Sequence, residues 1–237
     1  EPRLEDAYLS LASVYRDGAR WQEAQAALAR GLAVIPTSSR LLTDLSNLLL
    51  QRDEEDQALR LLDQAVQFSG TARTYMTRAD LYRVLGRSAD ALRDLETALW
   101  IEPGSIEALL ALGDLQLSNG NAAEAENAYR RALSLAPGRA APSLSLAELA
   151  RRQGKVDEAS WQFHAAIQAE PNSSSAVIRL AASRAEQGDW DRADEAYRQA
   201  MELAPTATEA YLGAAQVLQR RSSNLEEVVA WLQQATS

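Results

Sequence analysis

One block of sequence recurs along the whole chain. Aligned on its alanines and prolines, it begins near Glu5, Ser39, Ala72, Ile106, Ala140, Ser174 and Thr208, in steps of 34, 33, 34, 34, 34 and 34 residues. A fixed period of this length marks stacked helix pairs, because one pair cannot bury its apolar face alone. The block from Ile106 to Arg139 is the most regular. Leu109, Leu112, Leu115 and Leu117 give its first half one broad apolar face, as a helix requires. Asn119-Gly120-Asn121 interrupts the pattern, since glycine accepts the left-handed conformation of a helix end. Ala125, Ala128, Tyr129, Ala132, Leu133 and Leu135 form a second helical run, and Pro137 ends it. Each unit is therefore helix, turn, helix, stop.

Small residues set how closely these helices approach. Gly113 stands where the other units carry Ala12, Ser46, Ala79, Ala147, Ala181 and Ala215. Ala125 matches Ala24, Ala58, Ala91, Ala159 and Ala193, and Ala132 matches Gly31, Ala65, Ala98, Ala166 and Ala200. Large residues fill the intervening places: Leu28, Leu62, Leu95, Tyr129, Phe163 and Tyr197 in the second helix, and Tyr8, Leu42, Tyr75, Leu109, Val177 and Tyr211 in the first. Large against small at fixed places makes an interlocking core.

The layout resembles the tetratricopeptide repeat family. The resemblance is carried by the pairs Leu11-Ala12, Leu112-Gly113, Leu146-Ala147 and Leu180-Ala181, by the alanines of the second helix, and by the closing Pro36, Pro103, Pro137, Pro171 and Pro205. It implies an all-α helix-turn-helix solenoid wound as a right-handed superhelix. The units run over residues 5–38, 39–71, 72–105, 106–139, 140–173, 174–207 and an incomplete 208–237, with residues 1–4 as the tail of a preceding repeat. With no initial methionine, the chain reads as a fragment cut inside a longer array. In the last unit the turn Arg221-Ser222-Ser223-Asn224 is one residue longer, and Val228, Leu232 and Ala235 take core places.

Composition narrows the function. Net charge is −9, whereas a nucleic-acid binder draws its affinity from a basic surface. No apolar run is long enough to cross a bilayer. Without cysteine there is neither a disulfide nor a thiolate site. Of the 24 basic residues only Lys155 is lysine, a bias associated with GC-rich genomes. The compartment stays open, bacterial cytoplasm or periplasm alike.

No catalytic constellation is visible, and no cofactor is expected. His164 is the only histidine and lacks the partners that catalysis or zinc binding needs. Gly18, Gly86, Gly120, Gly154 and Gly188 read as turn residues. The run Asp53-Glu54-Glu55-Asp56 has two readings: a cation site, or acids favoured by a helix N-terminus. No calcium-loop spacing accompanies it. The tryptophans Trp21, Trp100, Trp161, Trp190 and Trp231 read as packing.

The remaining candidate is the groove, which in this family is lined by the first helices. One row there holds Leu9, Thr43, Met76, Leu110, Leu144, Ile178 and Leu212. A second holds Ser13, Asn47, Asp80, Asp114, Glu148, Ala182 and Gln216; a third includes Arg16, Arg83 and Arg151, and a fourth Arg40 and Arg73. Either this surface grips a peptide through its apolar ladder and arginines, or the ladder packs between helices. In the second case Arg40 pairs with Asp44, and Arg83 with Asp80. The clamp of chaperone-binding members is not matched: Leu9, Ser13, Asp44 and Met76 stand at its places, with Asn47 the lone agreement. The expectation is a non-enzymatic scaffold for a protein or peptide, with self-association through uncapped ends left open. The alternatives are the recruiting arm of a larger enzyme such as a glycosyltransferase, or an assembly module of bacterial envelope or exopolysaccharide secretion.

Overall fold

The computed structural model describes residues 2–221 together with 229, 231 and 233. Among them there are thirteen α-helices and no strand. The chain forms two compact units, Glu1–Asn121 and Ala122–Ser237. The first holds α1 (Pro2–Asp17), α2 (Trp21–Val34), α3 (Ser39–Leu50), α4 (Glu55–Ser69), α5 (Ala72–Val84), α6 (Ser88–Ile101) and α7 (Ile106–Ser118). The second holds α8 (Ala122–Leu135), α9 (Ala140–Arg152), α10 (Val156–Ala169), α11 (Ser174–Glu186), α12 (Trp190–Leu203) and α13 (Thr208–Arg221). Within each unit the helices pair in sequence, and α1 also touches α3, α3 touches α5, α9 touches α11 and α11 touches α13.

Serine or threonine at the start of a repeat explains where its first helix begins. Ser38, Thr71, Ser105 and Ser173 each accept a hydrogen bond from the backbone N–H three residues on, which would otherwise have no partner in the first turn. Arg139 cannot do this, and Glu170 Oε1 accepts from Ala140 N instead, at 2.9 Å. Helix α1 already includes residues 2–4. They are the first turn of α1, because Pro2 is followed by no Gly-Ser turn of the kind seen after Pro103. Ser222 to Asn224, Val228, Leu232 and Ala235 lie outside the described residues.

One turn differs from expectation. Gly86, Gly120, Gly154 and Gly188 have φ between 71° and 85°. In the first repeat that left-handed place belongs to Ala19 (φ 54°), not to Gly18, which stands one residue early. Asp53 takes it in the second repeat (φ 58°), leaving Glu55 and Asp56 in the first turn of α4. The acidic run is thus helix-terminal, and no group of acids, histidines and cysteines among the described residues could hold a metal ion.

The core repeats with the sequence. Ala24, Ala58, Ala91, Ala125, Ala159 and Ala193 are all fully buried, and the large residue four places on is at most 5% exposed. Gly70, where other repeats carry proline, fits because an added Cβ would lie 2.6 Å from Tyr75 Cε2. Gly213 answers the same demand in α13, where a side chain would overlap the Tyr197 ring.

The third repeat alters this core chemically. Arg78 stands where other repeats have Leu11, Leu112, Leu146 and Leu180, and Asp94 where they have Ala27, Ala128 and Ala196. The two exceptions meet. Arg78 Nε and Nη2 donate to the two oxygens of Asp94 at 2.7 and 2.8 Å, and Nη1 donates to Asp63 at 2.8 Å. Asp94 is 5% exposed. The hydrogen bonds to Asp94 hold the guanidinium pKa above its usual value. Gln162 occupies the same place in the fifth repeat, buried, with its Oε1 unpartnered.

Two stability tests follow from these observations. Arg78→Leu alone leaves a buried, unpaired carboxylate and should cost roughly 3–5 kcal/mol. Adding Asp94→Ala removes that carboxylate, leaves an apolar pair of side chains, and should recover most of the loss in denaturant unfolding. Ala19→Gly should raise stability by about 1 kcal/mol by removing the left-handed strain. Gly120→Ala, with open space around its Cβ, should lower it by a similar amount.

Candidate functional site

The face to examine is the one left over when the helices have packed. The second helices present a stripe that is exposed in every repeat, and two tryptophans stand on it. Trp100 is 82% and Trp161 64% exposed. They are therefore not the packing residues the sequence suggested: each lies at a place of the second helix that no neighbouring helix covers. Trp190 and Trp231, by contrast, pack against the core around Tyr197. His164 is exposed, its Nδ1 2.7 Å from the Ser160 carbonyl and its Nε2 3.5 Å from Arg184.

The first helices leave clefts between successive repeats. In the first unit one cleft, of about 310 Å³, is lined by Leu9, Ser13, Arg16, Arg40, Thr43, Asp44, Arg73 and Thr74. Another, of about 440 Å³, contains Asp80, Arg83, Asp114 and Ser118. In the second unit Ala182, Ala185, Glu186, Gln216 and Arg220 line a third.

The apolar row is mostly contact between helices. Leu9 packs on the core around Leu28, Met76 on that around Leu95, Leu144 on that around Phe163, and Ile178 on that around Tyr197. Leu110 is half-buried. Thr43 is buried, donating its hydroxyl to the Ser39 carbonyl at 2.7 Å. Leu212 is the exception, at 41% exposed. Asn47 is half-buried on the same face of α3.

The arginines find partners other than those four residues away. Arg40 Nη1 reaches back one repeat to Asp6 at 2.7 Å and Glu5 at 3.5 Å, not to Asp44. Asp44 instead meets Arg73 of the next repeat at 3.5 Å. The stacking of first helices places each acid near the following repeat's arginine, a geometry that spacing along one helix cannot show. Arg83 and Asp80 interact only through space, with no ion pair between them within 4 Å. Burial raises the Asp80 carboxyl above the usual range, and the Arg83 charge offsets part of that rise. Arg16 donates only to Ser13, at 3.4 Å.

In the second unit the charges close on themselves. Arg151 Nη2 and Nε bind Glu148 at 2.8 and 2.9 Å, its Nη1 binds Glu186 at 2.6 Å, and Arg152 Nε adds a bond to Glu148 at 3.0 Å. The hydrogen bond from Arg151 is the largest cause, and with help from Arg152 it brings the Glu148 pKa down from 4.5 to about 2 against the opposing effect of burial.

Sequence profiles described as tetratricopeptide repeats match residues 76–140, 116–184 and 176–211, which together span more than half of the chain. The chain belongs to the tetratricopeptide repeat family. Solved structures agree on the fold of this tetratricopeptide chain. A tetratricopeptide repeat protein from Parabacteroides merdae superposes with a TM-score of 0.72 at 19% identity, covering 99% of this chain and all of that one. PilF of Pseudomonas aeruginosa gives 0.72 at 19% identity over 93% and 99% of the two chains. YrrB, a tetratricopeptide protein with an unusual peptide-binding site, gives 0.53 at 20% identity over 77% and 95%. No curated protein sequence matches the chain. Tetratricopeptide proteins bind protein or peptide partners, and no helix among the described residues is long and apolar enough to cross a membrane.

The Glu148 cluster carries a pH signature. Its folded-state pKa is depressed, so the stabilisation is complete above about pH 4.5 and is lost as pH falls through about 2. Glu148→Gln should lower stability at neutral pH by roughly 1–3 kcal/mol, and its unfolding midpoint should converge with that of the parent protein in strong acid.

Proposed function

We propose that this chain is a non-enzymatic scaffold that holds a protein or peptide segment along its first-helix face. The observation that carries the proposal is where the clefts fall. Leu9, Arg16, Arg40 and Arg73 line one, and Asp80, Arg83 and Asp114 line another, all from first helices of successive repeats. Pockets built by repetition suit an extended ligand, since each repeat offers a similar set of contacts to the next part of the chain. The half-buried Leu9, Met76 and Leu110 of the first unit, and Leu144 and Ile178 of the second, serve mainly as the floor of the face in their own unit, and the polar rows above them make the contacts. The peptide-binding site of YrrB, on the same fold, is consistent with this use. In the catalytic arm and the secretion module weighed from the sequence, such an array would still act by binding.

Photo-crosslinking tests the face. A photoreactive residue at Ser13, Asp80 or Gln216 should trap a partner in cells, while one at Trp100 or Trp161 should not. Crosslinks confined to the tryptophan stripe would place binding on the second helices and overturn the proposal.

A further inference from the structure

Two of the clefts in the first unit share α5 and differ in the charged residues that line them. The first gathers Arg16, Arg40 and Arg73 from three successive repeats against the single acid Asp44. The second is lined by Asp80, Asp114 and Arg83. Arg40 is answered from outside the first cleft by Asp6 and Glu5, which leaves Arg16 and Arg73 as the arginines least matched there. Arg73 and Asp80 are seven residues apart, two turns of α5, so the centres of opposite sign lie on one stripe about 10 Å apart along the helix.

The charges are also incompletely matched inside the protein. Arg16 touches no acid among the described residues, only Ser13 at 3.4 Å. Arg73 is tied to Asp44 by one long contact of 3.5 Å and its side chain is 75% exposed. Asp80 is exposed at its cleft and makes no ion pair within 4 Å among the described residues, so the nearby Arg83 charge gives it only partial compensation. A cation brought by a ligand would complete it, as an anion would complete the donors of Arg16 and Arg73. The second unit offers no such pattern, because Glu148, Arg151 and Glu186 neutralise one another.

We infer that the first-helix face of the first unit selects a peptide of segregated charge, with acidic side chains on Arg16 and Arg73 and a basic side chain on Asp80. This rests on the proposal that the face binds a peptide at all. It adds the chemical class of the ligand: an acidic cluster followed, about 10 Å along the chain or roughly three extended residues, by lysine or arginine. Complementary potential of this kind sets register and selects partners more than it adds raw affinity.

Two fluorescent peptides of identical composition test it. In one, glutamates and lysines stand in separate blocks at that spacing; in the other they alternate. The segregated peptide should bind at least about tenfold more tightly, the worth of one charge-assisted contact, and should weaken as salt is raised. Arg16→Glu with Arg73→Glu should remove the preference, as should Asp80→Lys, while helicity and unfolding midpoint stay unchanged. Equal binding of both peptides, unaffected by these substitutions, would overturn the charge selection and leave the groove proposal standing. Binding of neither, with groove crosslinks still formed, would do the same. Binding of neither together with loss of those crosslinks would remove both.

Discussion

The contact that everything else depends on is the burial of one alanine per repeat. Ala24, Ala58, Ala91, Ala125, Ala159 and Ala193 lose all exposure, and a methyl group is the largest side chain such a place accepts. Close approach there lets Leu28 through Tyr197 fill the space four residues on. It also fixes which stripe of each first helix is left for other molecules. Where an aromatic ring presses harder still, the chain gives up even the methyl, at Gly70 beneath Tyr75 and at Gly213 beneath Tyr197. Repetition thus fixes spacing and leaves side-chain identity free within narrow limits of volume.

The third repeat shows how far that freedom extends. Arg78 and Asp94 put two charges into a helix interface, tolerable only because both occur together and Asp63 takes the remaining donor. Removing either member alone would leave a desolvated charge. The same repeat carries Arg73 and Asp80 on its outer stripe. Chemical individuality thus marks α5 both inside, at Arg78, and outside, at Arg73 and Asp80. In the second unit the analogous charges are consumed by the Glu148–Arg151–Glu186 network. Two stretches built on one template thereby present different electrostatics.

Much of this was legible before any coordinates. The period, the buried alanines and the closing prolines point to helix pairs, and the acidic run reads correctly as a helix terminus. The turn of the first repeat misleads, because Gly18 is the only glycine nearby and stands one residue before the place that needs it. The capping serines and threonines at Ser38, Thr71, Ser105 and Ser173 were a readable signal of helix starts that spacing alone did not use. The tryptophans mislead for another reason. An aromatic residue in a helical pattern looks like core, yet Trp100 and Trp161 fall on the stripe that faces no neighbour.

By itself the sequence determined the helix pairs and their core, because those follow from periodicity within single helices and from residue volumes recurring at fixed steps. It also placed the arginines and acids on the first-helix face. Only the tertiary structure decided that Arg40 answers Asp6 and not Asp44, that Asp44 meets Arg73, and that Arg151 also reaches Glu186. Those outcomes depend on side chains some thirty residues apart being stacked against one another, and local spacing carries no information about such neighbours.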